Sequence, residues 1–136
     1  MIDKEIIKIA SNTENHGMLS NHTHSSKLKN AICGDVMKIY LIVKDDKITN
    51  FKYECESCIY CQASVSLLSR NAKNKSVEKV KNFAEQAKNC FGKNTKSFDK
   101  EWKEFDQIMT KNNISRKECL LLPVNTTLDA LDKKSL

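Results

Sequence analysis

Apolar residues follow a helical period at the start of the chain and lose it soon afterwards. Spacings of four, three and one residue separate the apolar positions Ile2, Ile6, Ile9 and Ala10. This spacing predicts a short amphipathic helix that packs on the core. The next segment, residues 12–27, is rich in Asn, Ser, Thr and His and has no regular period, which predicts a loop.

From residue 36 the apolar side chains alternate with polar ones, as they do in a strand with one buried face. The apolar positions of this run are Met37, Ile39, Leu41 and Val43. A charged turn at residues 44–47 leads into a second alternating run, residues 48–55, so the two runs are predicted to form a hairpin. A third strand is expected around Leu28 to Ile32.

Helical spacing returns after Cys58, and the first helix of this half is predicted to end between residues 71 and 75. Ser76 is suited to cap a second helix, which Gly92 is expected to end. A third helix is predicted from an aromatic stripe that we expect in the core: Phe98, Trp102, Phe105 and Met109.

The last helix is predicted to begin between Lys117 and Leu120. This start would place Pro123 in the first turn, where amide groups have no helical partner to lose. The order of elements predicts the α+β class, with a small antiparallel sheet of about three strands packed against helices on one side. With 136 residues and no break in composition, we expect residues 1–136 to form a single domain.

Charge and composition narrow the function classes. The net charge is +6, but Arg70 and Arg116 are the only arginines among 23 basic residues, and the lysines are dispersed. This pattern favours a solvated lysine-rich surface over a nucleic-acid interface. The start of the chain is charged, and no apolar run approaches the roughly 20 residues that span a bilayer. We therefore expect a soluble cytoplasmic protein with neither nucleic-acid nor membrane partners, whose six cysteines are free thiols.

Three separated stretches carry cysteines that favour one metal site assembled by folding. Cys58 immediately precedes a predicted helix and Cys119 opens another, so the helix dipoles and nearby lysines are expected to lower the pKa of both thiols below the usual 8.5 or so. Cys33 precedes Gly34, which permits a tight turn, and Asp35, whose carboxylate can reach the same point. Three sulfurs and one oxygen suit tetrahedral zinc, or iron in transit.

The remaining cysteines and the histidines give weaker signals. Cys90 is expected only to pack, as buried cysteines often do. Cys55, Cys58 and Cys61 form a run with two residues between successive cysteines, a spacing that alone could support zinc or iron–sulfur ligation. This leaves Cys61 as an auxiliary candidate and Cys55 open between packing and ligation. The histidines fall in the predicted loop and are expected to be solvated rather than ligands: His16, His22 and His24.

Residues 33–38, Cys-Gly-Asp-Val-Met-Lys, and residues 58–66, Cys-Ile-Tyr-Cys-Gln-Ala-Ser-Val-Ser, resemble two motifs of the iron–sulfur cluster assembly scaffolds of the IscU, SufU and NifU N-terminal group. The resemblance extends over roughly residues 1–133 and is strongest over residues 31–68. Carried over by position, the metal ligands of the family fall on Cys33, Asp35, Cys58 and Cys119. Cys61 falls where relatives often carry Ser or Ala.

The resemblance implies a scaffold rather than an enzyme. Such proteins hold Zn²⁺ or Fe²⁺, receive persulfide sulfur from a cysteine desulfurase, and pass a nascent, transient [2Fe–2S] cluster to apo-proteins or a carrier. An alternative use of the same residues is a zinc-dependent sulfurtransferase in which Cys33 or Cys119 accepts the persulfide sulfur. A structural zinc adaptor is a weaker alternative, because its ligands usually come from paired knuckles rather than separated turns.

Two departures indicate which branch of the family the chain resembles. IscU-type members carry a histidine just before the third cysteine and a Leu-Pro-Pro-Val-Lys chaperone motif upstream of it. This chain has Glu118 at the first place and Lys-Asn-Asn-Ile, residues 111–114, near the second. The extra segment before Cys119, and Lys117 two residues before that cysteine, are closer to SufU-like members. The resemblance thus implies a site without an imidazole ligand.

Overall fold

The computed structural model describes residues 4–91 and 97–133. One antiparallel sheet, in the order β1-β2-β3, contains the strands His24–Lys29 (β1), Val36–Lys44 (β2) and Lys47–Glu56 (β3). The α-helices are Lys4–Ala10 (α1), Ile59–Ala72 (α2), Val77–Asn89 (α3) and Lys117–Asp132 (α4). Two 3-10 segments, Lys100–Gln107 and Lys111–Arg116, precede α4. The predicted α+β class is confirmed, and none of the described helices has the length and apolar character needed to cross a membrane.

The helices cover the apolar face of the sheet. The inward side chains of β2, at Met37, Ile39 and Leu41, are completely buried, as the alternating pattern requires. Helix α4 packs on β1 and β2, helix α2 packs on β3 and on α4, and α1 packs on α2. Hydrophobic burial of this face therefore fixes the starts of α2 and α4 at the same end of the sheet as the β1–β2 connection.

Strand β1 begins earlier than predicted. The loop prediction is wrong for residues 24–27, and the predicted strand is wrong beyond Lys29, because residues 30–35 form the connection to β2. The residues of β1 are mostly polar, so the apolar pattern did not predict the full strand. Ser26 donates a hydrogen bond to the Asp129 carboxylate of α4, and Leu28 packs against the core. The inward face of β1 is therefore held partly by a polar contact, which a search for alternating apolar residues does not detect.

The helix predictions hold with one change of type. Helix α1 is confirmed over its described residues, whereas Ile2 and the predicted stop at Gly92 lie outside them. The Ser76 side chain caps α3 by accepting a hydrogen bond from the Lys79 N–H, at 3.1 Å. The predicted third helix is a 3-10 segment with a kink at Trp102. Residues three apart lie on the same side of a 3-10 turn, so this geometry buries both Trp102 and Phe105.

Pro123 does not lie in the first turn of its helix, so that prediction is wrong. Helix α4 already begins at Lys117, which makes Pro123 its seventh residue and leaves the carbonyl of Cys119 without a helical N–H partner. The helix tolerates the proline because tertiary contacts hold this turn. Ser64 of α2 donates a hydrogen bond to the neighbouring Leu120 carbonyl, at 2.6 Å. This bond ties α2 to α4 beside Cys119.

The β2–β3 hairpin closes through a two-residue turn whose residues both have positive φ. The angles are 53° at Asp45 and 61° at Asp46, and the flanking Lys44 and Lys47 are paired across the strands. This is the geometry of a type I′ turn, in which Asp is tolerated at both positions and Gly is preferred at the second.

Asp46→Gly is expected to raise the free energy of unfolding by about 1 kcal/mol, because glycine adopts the left-handed conformation without a Cβ clash. Asp46→Ala is the matched control and should lower it by about 1 kcal/mol. Thermal and urea unfolding followed by circular dichroism measure both changes. A glycine variant that is less stable than the alanine variant would contradict this account of the turn.

Candidate metal centre

The β1–β2 connection positions Cys33 and Asp35. The Asn30 N–H donates to the Asp35 carbonyl at 2.8 Å, and the Gly34 N–H donates to the Asn30 carbonyl at 2.7 Å. Gly34 has a φ of 78°, a left-handed conformation that reverses the chain between the two ligand candidates. As a result Cys33 is exposed whereas Asp35 is buried, although both belong to the same turn.

Asp35 is held by one carboxylate oxygen and presents the other. The backbone N–H of Cys58 donates to Asp35 Oδ1 at 3.3 Å, which links the connection to the start of α2. Asp35 Oδ2 is buried and has no hydrogen-bond partner among the described residues. Because burying an unpaired polar oxygen is unfavourable, this atom is suited to accept a cation or another strong partner.

Cys119 brings the third segment to this point from the first turn of α4. Its sulfur lies 3.8 Å from that of Cys33, and the ligand atoms of Cys33, Asp35 and Cys119 all lie within 4.8 Å of one another. Two thiolates bound to one tetrahedral zinc at about 2.3 Å lie roughly 3.8 Å apart, whereas disulfide sulfurs are about 2 Å apart. The observed spacing thus fits a shared metal ion better than a disulfide.

Cys58 borders this trio without belonging to it. It is the N-cap residue of α2 and is partly buried, and its thiol raises the pKa of Cys119. The structure therefore brings all four predicted ligands to one place, three of them in mutual ligand range. All three histidines make other contacts: His22 Nδ1 lies 2.6 Å from the Leu19 carbonyl, His24 Nδ1 lies 2.8 Å from the Thr23 hydroxyl oxygen, and His16 packs edge-on against Tyr53.

The pKa of Cys119 does not follow the helix-dipole expectation. Burial raises this pKa most, and the neighbouring thiols of Cys58 and Cys33 raise it further. The predicted lowering is therefore wrong for Cys119, because desolvation and like charges outweigh the partial charge of the helix end. Without a cation, Cys119 therefore resists ionisation.

The other three cysteines lie outside the trio. Cys90 packs as predicted: its thiol donates to the Ala87 carbonyl at 3.0 Å, and burial raises its pKa to about 11. Cys55 is half-buried on β3, and burial raises the pKa of its thiol. Cys61 lies one turn after Cys58 on α2, where complete burial raises its pKa even more strongly.

Two features beside the site were not found from the sequence. The guanidinium of Arg116 lies 5.1 Å from the ring centroid of Tyr60, a cation–π contact that joins the start of α2 to the segment before α4. Ile32, next to Cys33, is 86% exposed. Arg116 and Ile32 lie close in sequence to the predicted ligands Cys119 and Cys33, but only the fold shows that Arg116 contacts Tyr60.

Comparisons with known proteins agree with this fold. Residues 1–96 match the family model described as the NifU-like N terminal domain. The iron–sulfur cluster assembly scaffold protein IscU of Thermotoga maritima is 31% identical over 138 residues, which cover 99% of this chain and 95% of that protein. IscU 1 of Archaeoglobus fulgidus is 32% identical over 69 residues, covering 51% of this chain and 45% of that protein.

Solved structures give the same picture for the fold. The N-terminal NifU-like protein of Brucella abortus superposes with a TM-score of 0.89 at 21% identity, covering 96% of this chain and 91% of that one. The SufU-like protein of Fervidobacterium islandicum superposes with a TM-score of 0.87 at 26% identity, covering 96% of both chains. The chain therefore belongs to the NifU-like N-terminal family of iron–sulfur cluster assembly scaffolds.

Proposed function

We propose that this protein builds a [2Fe–2S] cluster on Cys33, Asp35, Cys58 and Cys119 and passes it to apo-proteins or a carrier. Iron and the sulfur delivered by a cysteine desulfurase are the substrates, and residues 1–136 act as one scaffold domain. One observation carries the proposal: Cys33 and Asp35 of the β1–β2 connection and Cys119 of α4 have ligand atoms within 4.8 Å of one another, beside Cys58.

The uneven burial of the ligands supports a site that both loads and unloads. Cys33 is exposed, whereas Asp35 and Cys119 are buried. A cluster held here would have one ligand at the surface, where a partner protein can reach it, and two in the interior. A carboxylate oxygen is also a harder and more easily displaced ligand for iron–sulfur cargo than a thiolate. This combination suits the temporary binding of a cluster better than a closed structural site would.

Sulfur enters the site through Cys33 or Cys119 in this proposal. The thiolate of one of these residues attacks the outer sulfur of the desulfurase persulfide, and the desulfurase thiolate leaves. The exposed position of Cys33 supports direct delivery, and its 3.8 Å separation from the Cys119 sulfur supports exchange between the two. Each transfer moves one sulfane sulfur and leaves the number of thiols unchanged.

Resident zinc is a second candidate, favoured by the sulfur spacing and by the unpaired Asp35 Oδ2. Cys33, Asp35, Cys58 and Cys119 would hold the ion, which would keep the thiols deprotonated. In that case the protein is a zinc-dependent sulfurtransferase partner of the desulfurase. The proposals differ in product: a scaffold yields a transferable cluster, whereas a sulfurtransferase yields persulfide transfer alone.

Anaerobic incubation of the full chain with ferrous iron, cysteine and a cysteine desulfurase is expected to produce a visible-absorbing cluster that an apo-ferredoxin can remove. Cys119→Ser should reduce cluster formation by more than tenfold, since even the loss of a group that only supports a metal ligand commonly costs about 10- to 100-fold. Absorption and circular dichroism spectra with iron and sulfide analysis measure the result.

Cys90→Ser is the control and should behave like the parent, because Cys90 only packs in the core. Retained zinc with stimulated desulfurase turnover and no chromophore would favour the sulfurtransferase instead. If Cys119→Ser keeps full cluster formation and full desulfurase stimulation, the four-ligand assignment fails.

Asp35→Ala is expected to lengthen the lifetime of the assembled cluster and slow its transfer. The substitution removes a negative charge from the thiolates and also removes the ligand that an incoming thiolate displaces most easily. The decay of the chromophore and its transfer to apo-ferredoxin measure these rates, with the exposed Asp132→Ala as control. Transfer as fast as in the parent would contradict the proposal that Asp35 is the ligand displaced when the cluster leaves.

Zinc affinity should rise with pH, by about tenfold or more per unit between about pH 6 and pH 8. The raised pKa of Cys119 keeps that thiol protonated without metal, so zinc binding must release its proton. Competition titrations with a zinc indicator measure the slope, which Cys119→Ser should make shallower. An affinity that stays flat across this range would exclude Cys119 as a thiolate ligand.

A further inference from the structure

Cys58 and Cys61 form a Cys-X-X-Cys pair at the start of α2. Cys58 is the N-cap residue with extended backbone angles, φ −70° and ψ 167°, and Cys61 lies in the first turn of the same helix. The first thiol is partly accessible, whereas the second is completely buried. Thiol–disulfide proteins use this type of motif, in which one thiol reacts with the partner and the other completes the exchange.

The local geometry permits these two sulfurs to bond. Side chains three residues apart on a helix have Cβ atoms about 5–6 Å apart, and a disulfide needs about 3.5–4.5 Å. Cys58 can close the difference because its backbone is outside the helix and its side chain makes no capping hydrogen bond. Its carbonyl stays fixed by the Gln62 N–H, at 3.0 Å, so the helix need not open.

The pair also lies against the proposed ligand set. Cys61 is close enough to Cys58, Cys55 and Asp35 for their charges to act on it, and Cys58 acts in the same way on Cys119. Cys58 thus lies in the same neighbourhood as Cys119, and Cys61 follows it in the first turn of α2. Cys61 is not in ligand range of the trio formed by Cys33, Asp35 and Cys119.

We propose, resting on the function proposed above, that Cys61 resolves a persulfide carried on Cys58 and so releases sulfide within the site. The Cys58 sulfur first attacks the outer sulfur of a Cys119 persulfide, and the Cys119 thiolate leaves. The Cys61 sulfur then attacks the inner sulfur of the Cys58 persulfide. The Cys58–Cys61 bond forms and the bond to the outer sulfur breaks, and the outer sulfur leaves as hydrogen sulfide with the Cys61 proton.

This step supplies the electrons that cluster assembly requires. Desulfurase sulfur arrives at oxidation level zero, whereas cluster sulfur is sulfide, so each atom needs two electrons. The Cys58–Cys61 dithiol supplies both as it becomes a disulfide. An external dithiol reductant must restore the pair before the next sulfur, and until then Cys58 is withheld from the ligand set. One chain therefore releases one sulfide for each reduction.

The test uses the full chain, reduced, treated with a chelator and kept anaerobic. A cysteine desulfurase with cysteine loads it with persulfide in one arm, and inorganic polysulfide loads it in the other. After desalting, the sulfide released without added reductant is measured by methylene blue, and peptide mass spectrometry after thiol blocking identifies the disulfide. We expect sulfide and Cys58–Cys61 disulfide in equal amounts.

Cys61→Ser and Cys61→Ala should lower sulfide release by about tenfold or more, because a neighbouring thiol reacts at a high effective concentration. Cys55→Ser is the matched control and should match the parent. Release by both Cys61 variants at the parental rate, or a disulfide that joins Cys58 to another cysteine, overturns the inference. A folded chain is verified for each variant by circular dichroism.

The same variants separate this inference from the proposed function. With excess dithiothreitol present, Cys61→Ala should still build the cluster, because external thiols then supply the electrons. If the variant builds the cluster and the parent shows no reductant-free sulfide release, the scaffold function stands and the Cys61 role fails. If loading succeeds only with polysulfide and Cys61-dependent release follows, the resolving role stands and delivery by the desulfurase fails.

Discussion

A single buried carboxylate connects the parts of the site that the fold brings together. Asp35 accepts a hydrogen bond from the Cys58 backbone through one oxygen, and its other oxygen has no hydrogen-bond partner within the part of the chain that the structure describes. This contact fixes the β1–β2 connection against the start of α2, and an oxygen of the carboxylate lies within 4.8 Å of the sulfurs of Cys33 and Cys119. Packing of α2 and α4 on the sheet keeps the carboxylate out of water. Burial of the unpaired oxygen is therefore unfavourable until it gains a partner such as a cation.

Negative charge is the governing difficulty of this arrangement. Burial and the neighbouring thiols of Cys58 and Cys33 raise the pKa of Cys119, so this thiol ionises more readily when a cation is present. Metal binding and thiol ionisation are therefore one coupled event. The same crowding places sulfur atoms near one another, so sulfur bound to one cysteine can exchange with a neighbouring thiol.

The local sequence pattern predicted most of the helices and strands, but little of how the ligand-bearing segments come together. Strand β2 and the Ser76 cap could be predicted because each depends on residues that are close in sequence. Strand β1 was misplaced because Ser26 fills an inward position with a polar contact to α4, and Pro123 was misplaced because a tertiary bond from Ser64 supports its helix. The approach of Cys119 to Cys33 depends on how α4 docks; the separated cysteine stretches and the resemblance to a family anticipated it, but no local pattern did. The direction of the Cys119 pKa shift was missed for the same reason, since burial and neighbouring thiols are properties of the assembled fold.

Gly34 shows how narrowly the connection between the strands is specified. A Cβ atom added there would meet nothing within 4 Å, so the position has room for a larger residue. Its φ of 78° is nevertheless a conformation that most residues adopt only at a cost of about 1–2 kcal/mol. Selection at this site therefore acts on a torsion angle rather than on volume. Variation here should favour residues that tolerate left-handed backbone, such as Asn, and the size of the side chain should matter little.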